Sequence, residues 1–91
     1  MFARVETFHA EPSGMDDLVS ELQHTIGLVR TLPGNMGGYT LVNRDSGSVL
    51  GITFWQSEED RGVAESEFEA AAHHGDVGLY GVAMQEALGR T

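Results

Sequence analysis

The stretch Ser48-Val49-Leu50-Gly51-Ile52-Thr53-Phe54-Trp55 constrains the fold more than any other part of the chain. Alternate residues of a strand face opposite ways, so Leu50, Ile52 and Phe54 share one side while Val49 and Trp55 share the other. Apolar side chains on both sides need two covers. Upstream, Gly38-Tyr39-Thr40-Leu41-Val42-Asn43 has the same strand-forming character. The intervening Arg44-Asp45-Ser46-Gly47 supplies the Asp and Gly that tight turns favour. The two segments predict a hairpin, with Asn43 serving the turn that it precedes.

The flanking segments supply a first cover. Phe2 to His9 is rich in β-branched and aromatic residues and reads as a strand. Pro12-Ser13-Gly14 breaks it, and Ser13 with Asp16 three residues on fits a capping box. Met15, Leu18, Val19, Leu22, Ile26 and Val29 then recur at spacings of three and four, which is the stripe of an amphipathic helix. Leu32-Pro33-Gly34 ends that helix. Ser57 with Asp60 repeats the cap, and Glu58, Glu59 and Asp60 suit a helix N-terminus. This second helix is expected to run to about His74 and stop at Gly75, on a thin stripe of Val63, Ala64, Phe68, Ala71 and Ala72. The order of elements assigns residues 78–88 to a last strand. The result is an α+β, ferredoxin-like βαββαβ sandwich, a four-stranded antiparallel sheet with both helices on one face. The other face needs a second cover, and an identical sheet in a homodimer provides it.

Ninety-one residues allow one domain, spanning 1–91, and 41% apolar residues make it ordinary globular material without a membrane-spanning run. The N-terminus meets Glu6 at once and lacks the pattern of a secretory signal, so a cytoplasmic setting is expected. With no cysteine, disulfides, thiolate metal sites and a thiol nucleophile are excluded. Fourteen acidic against five basic residues give a net charge of −9. Nucleic acid and anionic membrane surfaces are therefore not expected partners, because Arg4, Arg30, Arg44, Arg61 and Arg90 are scattered singly and there is no lysine.

The run Leu32-Pro33-Gly34-Asn35-Met36-Gly37-Gly38-Tyr39, then Val42-Asn43-Arg44-Asp45-Ser46-Gly47, then Gly51-Ile52-Thr53-Phe54-Trp55-Gln56-Ser57-Glu58-Glu59, resembles the dimeric α+β barrel superfamily. The likeness is to small proteins related to the antibiotic biosynthesis monooxygenases, and it covers nearly all of the chain. It implies two sheets closing into a barrel across a dimer, helices outside, and a pocket in each subunit between helices and sheet. It also implies one of several chemistries: cofactor-independent oxidation of polyketide-type aromatics, haem degradation, isomerisation, or the unassigned activity of many members.

Candidate site residues follow from their chemistry. Tyr39, Tyr80 and Trp55 carry hydrogen-bond donors on aromatic bodies and suit a phenolic ligand, although Trp55 equally suits a core or an interface. His73 and His74 follow Phe68-Glu69-Ala70-Ala71-Ala72, which is similar to the setting of the haem ligand in haem-degrading relatives. The chain departs from that pattern near Thr7, where those relatives have asparagine, and near Ala64, where they have tryptophan. A helix C-terminus also favours such histidines electrostatically. His9, His24, His73 and His74 lack metal-ligand spacing, so no metal and no cofactor is expected. Arg4 and Glu6 share one face of the first strand and form a candidate partly buried pair inside the barrel. The leading expectation is a cofactor-independent monooxygenase-like protein acting on a small apolar aromatic. A non-catalytic dimeric ligand-binding or pathway-accessory module is the alternative, and a haem-degrading oxygenase the third.

Overall fold

The computed structural model describes residues 1–83. Strand β1 (Phe2–His9) leads through a 3-10 turn (Pro12–Gly14) into helix α1 (Met15–Val29), followed by β2 (Asn35–Asn43), β3 (Ser48–Trp55), α2 (Glu58–Glu69) and β4 (Asp76–Gly81). The sheet order is β2-β3-β1-β4 with every pairing antiparallel. This is the expected ferredoxin-like α+β arrangement.

Register explains the two faces. Phe8 pairs with Val49 and Phe2 with Trp55, so Arg4, Glu6 and Phe8 of β1 share the helix-covered face with Val49, Thr53 and Trp55 of β3. Two apolar clusters fill that side. One joins Phe8 and Val49 to Met15, Leu18 and Leu22 of α1. The other joins Trp55 to Val29 of α1 and to Ala64 and Phe68 of α2. The opposite face carries Leu50, Ile52 and Phe54, which lie across from Leu41, Tyr39 and Ala3. No element of the described chain covers it, and Tyr39 and Tyr80 there are 63% and 58% exposed.

Local chemistry sets the element ends. Ser57 caps α2 as expected, its Oγ accepting from the Asp60 amide at 3.1 Å. Asn43 Oδ1 accepts from the amides of Asp45 and Ser46, so it does serve the hairpin turn. Gly34 takes φ +80°, and a Cβ there would collide with the Asp60 side chain at the head of α2.

Four elements have boundaries that differ from expectation. Ser13 does not cap α1: Pro12 starts a 3-10 turn one residue earlier, so Ser13 lies inside the turn and Gly14 takes the cap position without a side-chain bond. Strand β2 begins at Asn35 and absorbs an irregularity before Gly38, with Gly37 at φ +102°. Helix α2 ends at Glu69, well short of His74. The chain must leave the helix early because Asp76 pairs with Thr7 and the Gly75 amide is drawn onto Glu6. The last strand accordingly begins at Asp76 and ends at Gly81. The part of the expected strand beyond residue 83 lies outside the described residues.

Candidate functional site

Burying a polar side chain is costly unless it is hydrogen-bonded, so the places where a small domain does so are informative. Among the described residues Arg4, Glu6, Thr25 and Thr53 are the buried polar side chains. All four line one crevice between the helices and the sheet, whose other walls include Leu22, Ile26 and Phe68. Ala71 and His73, from the connection between α2 and β4, also line it.

Alternation along β1 puts Arg4 and Glu6 side by side, and α2 brings the counter-charge. Arg4 Nη1 donates to Glu6 Oε1 at 2.9 Å. Its Nε and Nη2 donate to the two carboxylate oxygens of Glu65 at 2.7 and 3.3 Å, a bidentate fork. The guanidinium lies 3.8 Å from the centroid of the Phe68 ring, a cation–π stack. Glu6 Oε2 accepts from the Gly75 amide at 2.7 Å. A Cβ at Gly75 would be driven into the Thr7 carbonyl oxygen, so only glycine brings this amide close enough. Thr53 Oγ1 accepts from Trp55 Nε1 at 3.0 Å, and Thr25 Oγ1 donates to the Glu21 carbonyl at 3.1 Å. No buried side-chain nitrogen or oxygen among the described residues lacks a partner. The crevice holds about 20 Å³ of open space, room for about one water.

Of the residues singled out from the sequence, Arg4, Glu6 and His73 line this site, while Tyr39, Trp55, Tyr80 and His74 do not. Trp55 is fully buried and works as the centre of the α2-side core, with its indole N–H already taken by Thr53. Tyr39 and Tyr80 lie on opposite edge strands and on the uncovered face, where Tyr39 packs edge-on against Phe54 at 6.2 Å. His73 reaches the crevice wall. His74 is exposed and places Nε2 2.8 Å from the Ala71 carbonyl oxygen. No group of three or more His, Asp or Glu among the described residues is placed to hold a metal ion. The Arg4–Glu6 pair shares one face, as β1 alternation implied, and is buried, but under the helices rather than on the face that a barrel would enclose. Glu65, Phe68, Thr53 and Gly75 were not singled out for a site; the only sequence signal for Glu65 is its i,i+4 spacing from Arg61.

No protein-family sequence model matches the chain, and no curated protein sequence matches it. Solved structures do. An antibiotic biosynthesis monooxygenase superposes with a TM-score of 0.72 at 14% identity, over 92% of this chain and 100% of that one. A candidate antibiotic biosynthesis monooxygenase from Nitrosomonas europaea gives 0.74 at 11%, over 90% and 89%. The haem degrader MhuD of Mycobacterium tuberculosis, with two haems bound in its active site, gives 0.73 at 14%, over 96% and 100%. At such identities the likeness is one of fold: this chain has the α+β fold of the antibiotic biosynthesis monooxygenase structures. No helix among the described residues is long and apolar enough to cross a membrane.

The crevice residues do not fit a haem. The crevice, walled by Phe68 and by an Arg4 that is held in the Glu65 fork, has about 20 Å³ of open space, far less than a macrocycle fills. Thr7 sits on the opposite sheet face, across from Leu50, and Ala64 is fully buried in the core.

Proposed function

We propose that the protein is a monooxygenase-like homodimer that receives a small electron-rich aromatic at the helix–sheet crevice and promotes its oxidation by dioxygen without a cofactor. One observation carries this reading: all four buried polar side chains of the described chain converge on a single crevice with an apolar wall. Convergent polar groups in an otherwise apolar cleft are the usual make-up of a small-molecule site. Arg4 has five N–H groups, of which three are directed at carboxylates. The remaining two are available to a substrate oxygen as it gains negative charge, which is electrostatic stabilisation in a water-poor site. For an anthrone, the reactive carbon gains one oxygen atom as a carbonyl, and its two hydrogens leave with the other oxygen atom as water. The substrate anion itself supplies the electrons.

The homodimer is part of this reading because the face bearing Leu50, Ile52 and Phe54 is apolar and no described element covers it. Leu41, 48% exposed on that face, is the position to test it. Leu41→Glu should leave the circular dichroism spectrum intact and lower the sedimentation coefficient to that of a single chain. For the activity, oxygen uptake is followed with a panel of anthrones and hydroquinones. Uptake that scales with protein and saturates with substrate supports oxidation, and uptake equal to buffer alone refutes it.

A second reading, a non-catalytic ligand-binding or accessory module, is favoured by the internal hydrogen bonding of the crevice, in which every buried side-chain nitrogen and oxygen of the described residues already has a partner. Binding of the same compounds without oxygen uptake would select it.

A further inference from the structure

A second cavity, of about 350 Å³, lies beside the crevice where β1 ends and α1 begins. Its buried wall is Phe8 and Leu18, and its rim carries His9, Glu11, His73 and His74. The two spaces have opposite deficiencies. The crevice has buried polar groups but room for about one water, whereas sites for small organic ligands measure about 300–1,000 Å³. The outer cavity is of that size, yet its buried wall is apolar and its polar side chains are exposed. Among the described residues His73 alone lines both. His73, an exposed residue, therefore stands where a roomy open hollow meets the small polar crevice.

We propose that the outer cavity is the chamber that binds the ring of the ligand, and that His73 is the gate through which a hydroxyl-bearing end reaches Arg4, Glu6 and Thr53. The ligand class is a flat aromatic, apolar along one edge and hydroxylated at the other. Phe8 and Leu18 offer the ring an apolar floor. The gate can turn because His73 is exposed and makes no hydrogen bond to a described residue, while its neighbours are fixed: His74 on the Ala71 carbonyl and Gly75 on Glu6. These anchors immediately after it in the chain let one side chain move without unpacking β4. The inference rests on the crevice being the polar end of the site.

The test is an amide-resolved NMR titration of the full chain with 2-naphthol, using the native protein, His73→Ala and His73→Trp. Replacing an exposed ring leaves the core untouched, and circular dichroism verifies the fold of each variant. The expected result is that 2-naphthol shifts the amides of Leu18 and His9 in the chamber together with those of Glu6 and Thr53 in the crevice. Line-shape analysis should then give association about tenfold faster in His73→Ala and about tenfold slower in His73→Trp, since association slows when binding requires a conformational change. Crevice shifts with equal association rates in all three proteins would overturn the gate and leave the crevice reading standing. No crevice shift in any of them would overturn both.

Discussion

Replacing Arg4 with methionine tests whether the charged cluster is as buried as its geometry indicates. Methionine keeps much of the aliphatic stem that packs along the sheet, so the change removes charge more than volume. It abolishes three hydrogen bonds to carboxylates and the stack on Phe68. The two acids left behind are not equivalent. Glu65, with its side chain 33% exposed, recovers solvent and contributes under about 1 kcal/mol to the loss. Glu6, 10% exposed, keeps only the Gly75 amide, and a buried charge stripped of its partner costs about 3–5 kcal/mol. For a domain of this size each kcal/mol lowers Tm by about 4–8 °C, so the midpoint should fall by roughly 12 °C or more. Urea unfolding at one fixed protein concentration measures this, since self-association would otherwise enter the midpoint. Fluorescence of the single, fully buried Trp55 and far-ultraviolet circular dichroism are independent probes. Arg44→Ala is the control, because its pair with Asp16 is exposed on both sides and is worth under about 1 kcal/mol. A loss below about 1 kcal/mol for Arg4→Met, at unchanged m, would mean that Glu6 is hydrated and the cluster reading is wrong.

Other outcomes follow from single contacts. Gly75→Ala should detach the start of β4, seen as faster amide exchange at Asp76 and Gly78, which pair with Thr7 and Val5, because its methyl meets the Thr7 carbonyl; unchanged exchange would refute the close approach. Ser57→Ala removes the α2 cap and should cost about 0.5–2 kcal/mol in urea unfolding. Haem titration should produce no protein-dependent Soret shift, given the Arg4–Glu65 fork and Phe68 in the way.

Features decided by short-range chemistry were legible in the sequence. Asn43, Asp45 and Gly47 define the hairpin, Ser57 with Asp60 starts α2, and the three-four spacing from Met15 to Val29 reproduces α1. Where tertiary contacts compete, local signals mislead. Helix propensity continues through Ala70-Ala71-Ala72, yet α2 stops at Glu69 because Asp76 must pair with Thr7. Pro12 outweighs Ser13 because a fixed φ starts a turn without needing a side-chain bond. The candidate site was legible only in part. Strand alternation puts Arg4 beside Glu6, but nothing local announces Glu65, 61 residues away. Tyr39, Trp55 and Tyr80 were grouped by chemistry, whereas register separates Tyr39 and Tyr80 from Trp55 by the whole sheet.

The most direct test of the crevice as the substrate site is a crystal structure of the protein grown anaerobically with an anthrone. The account predicts the anthrone oxygen within hydrogen-bond distance of Arg4 or Thr53, with its ring system extending past His73. An anthrone bound on the opposite sheet face, against Tyr39 or Tyr80, with the Arg4–Glu6–Glu65 cluster undisturbed, would contradict it.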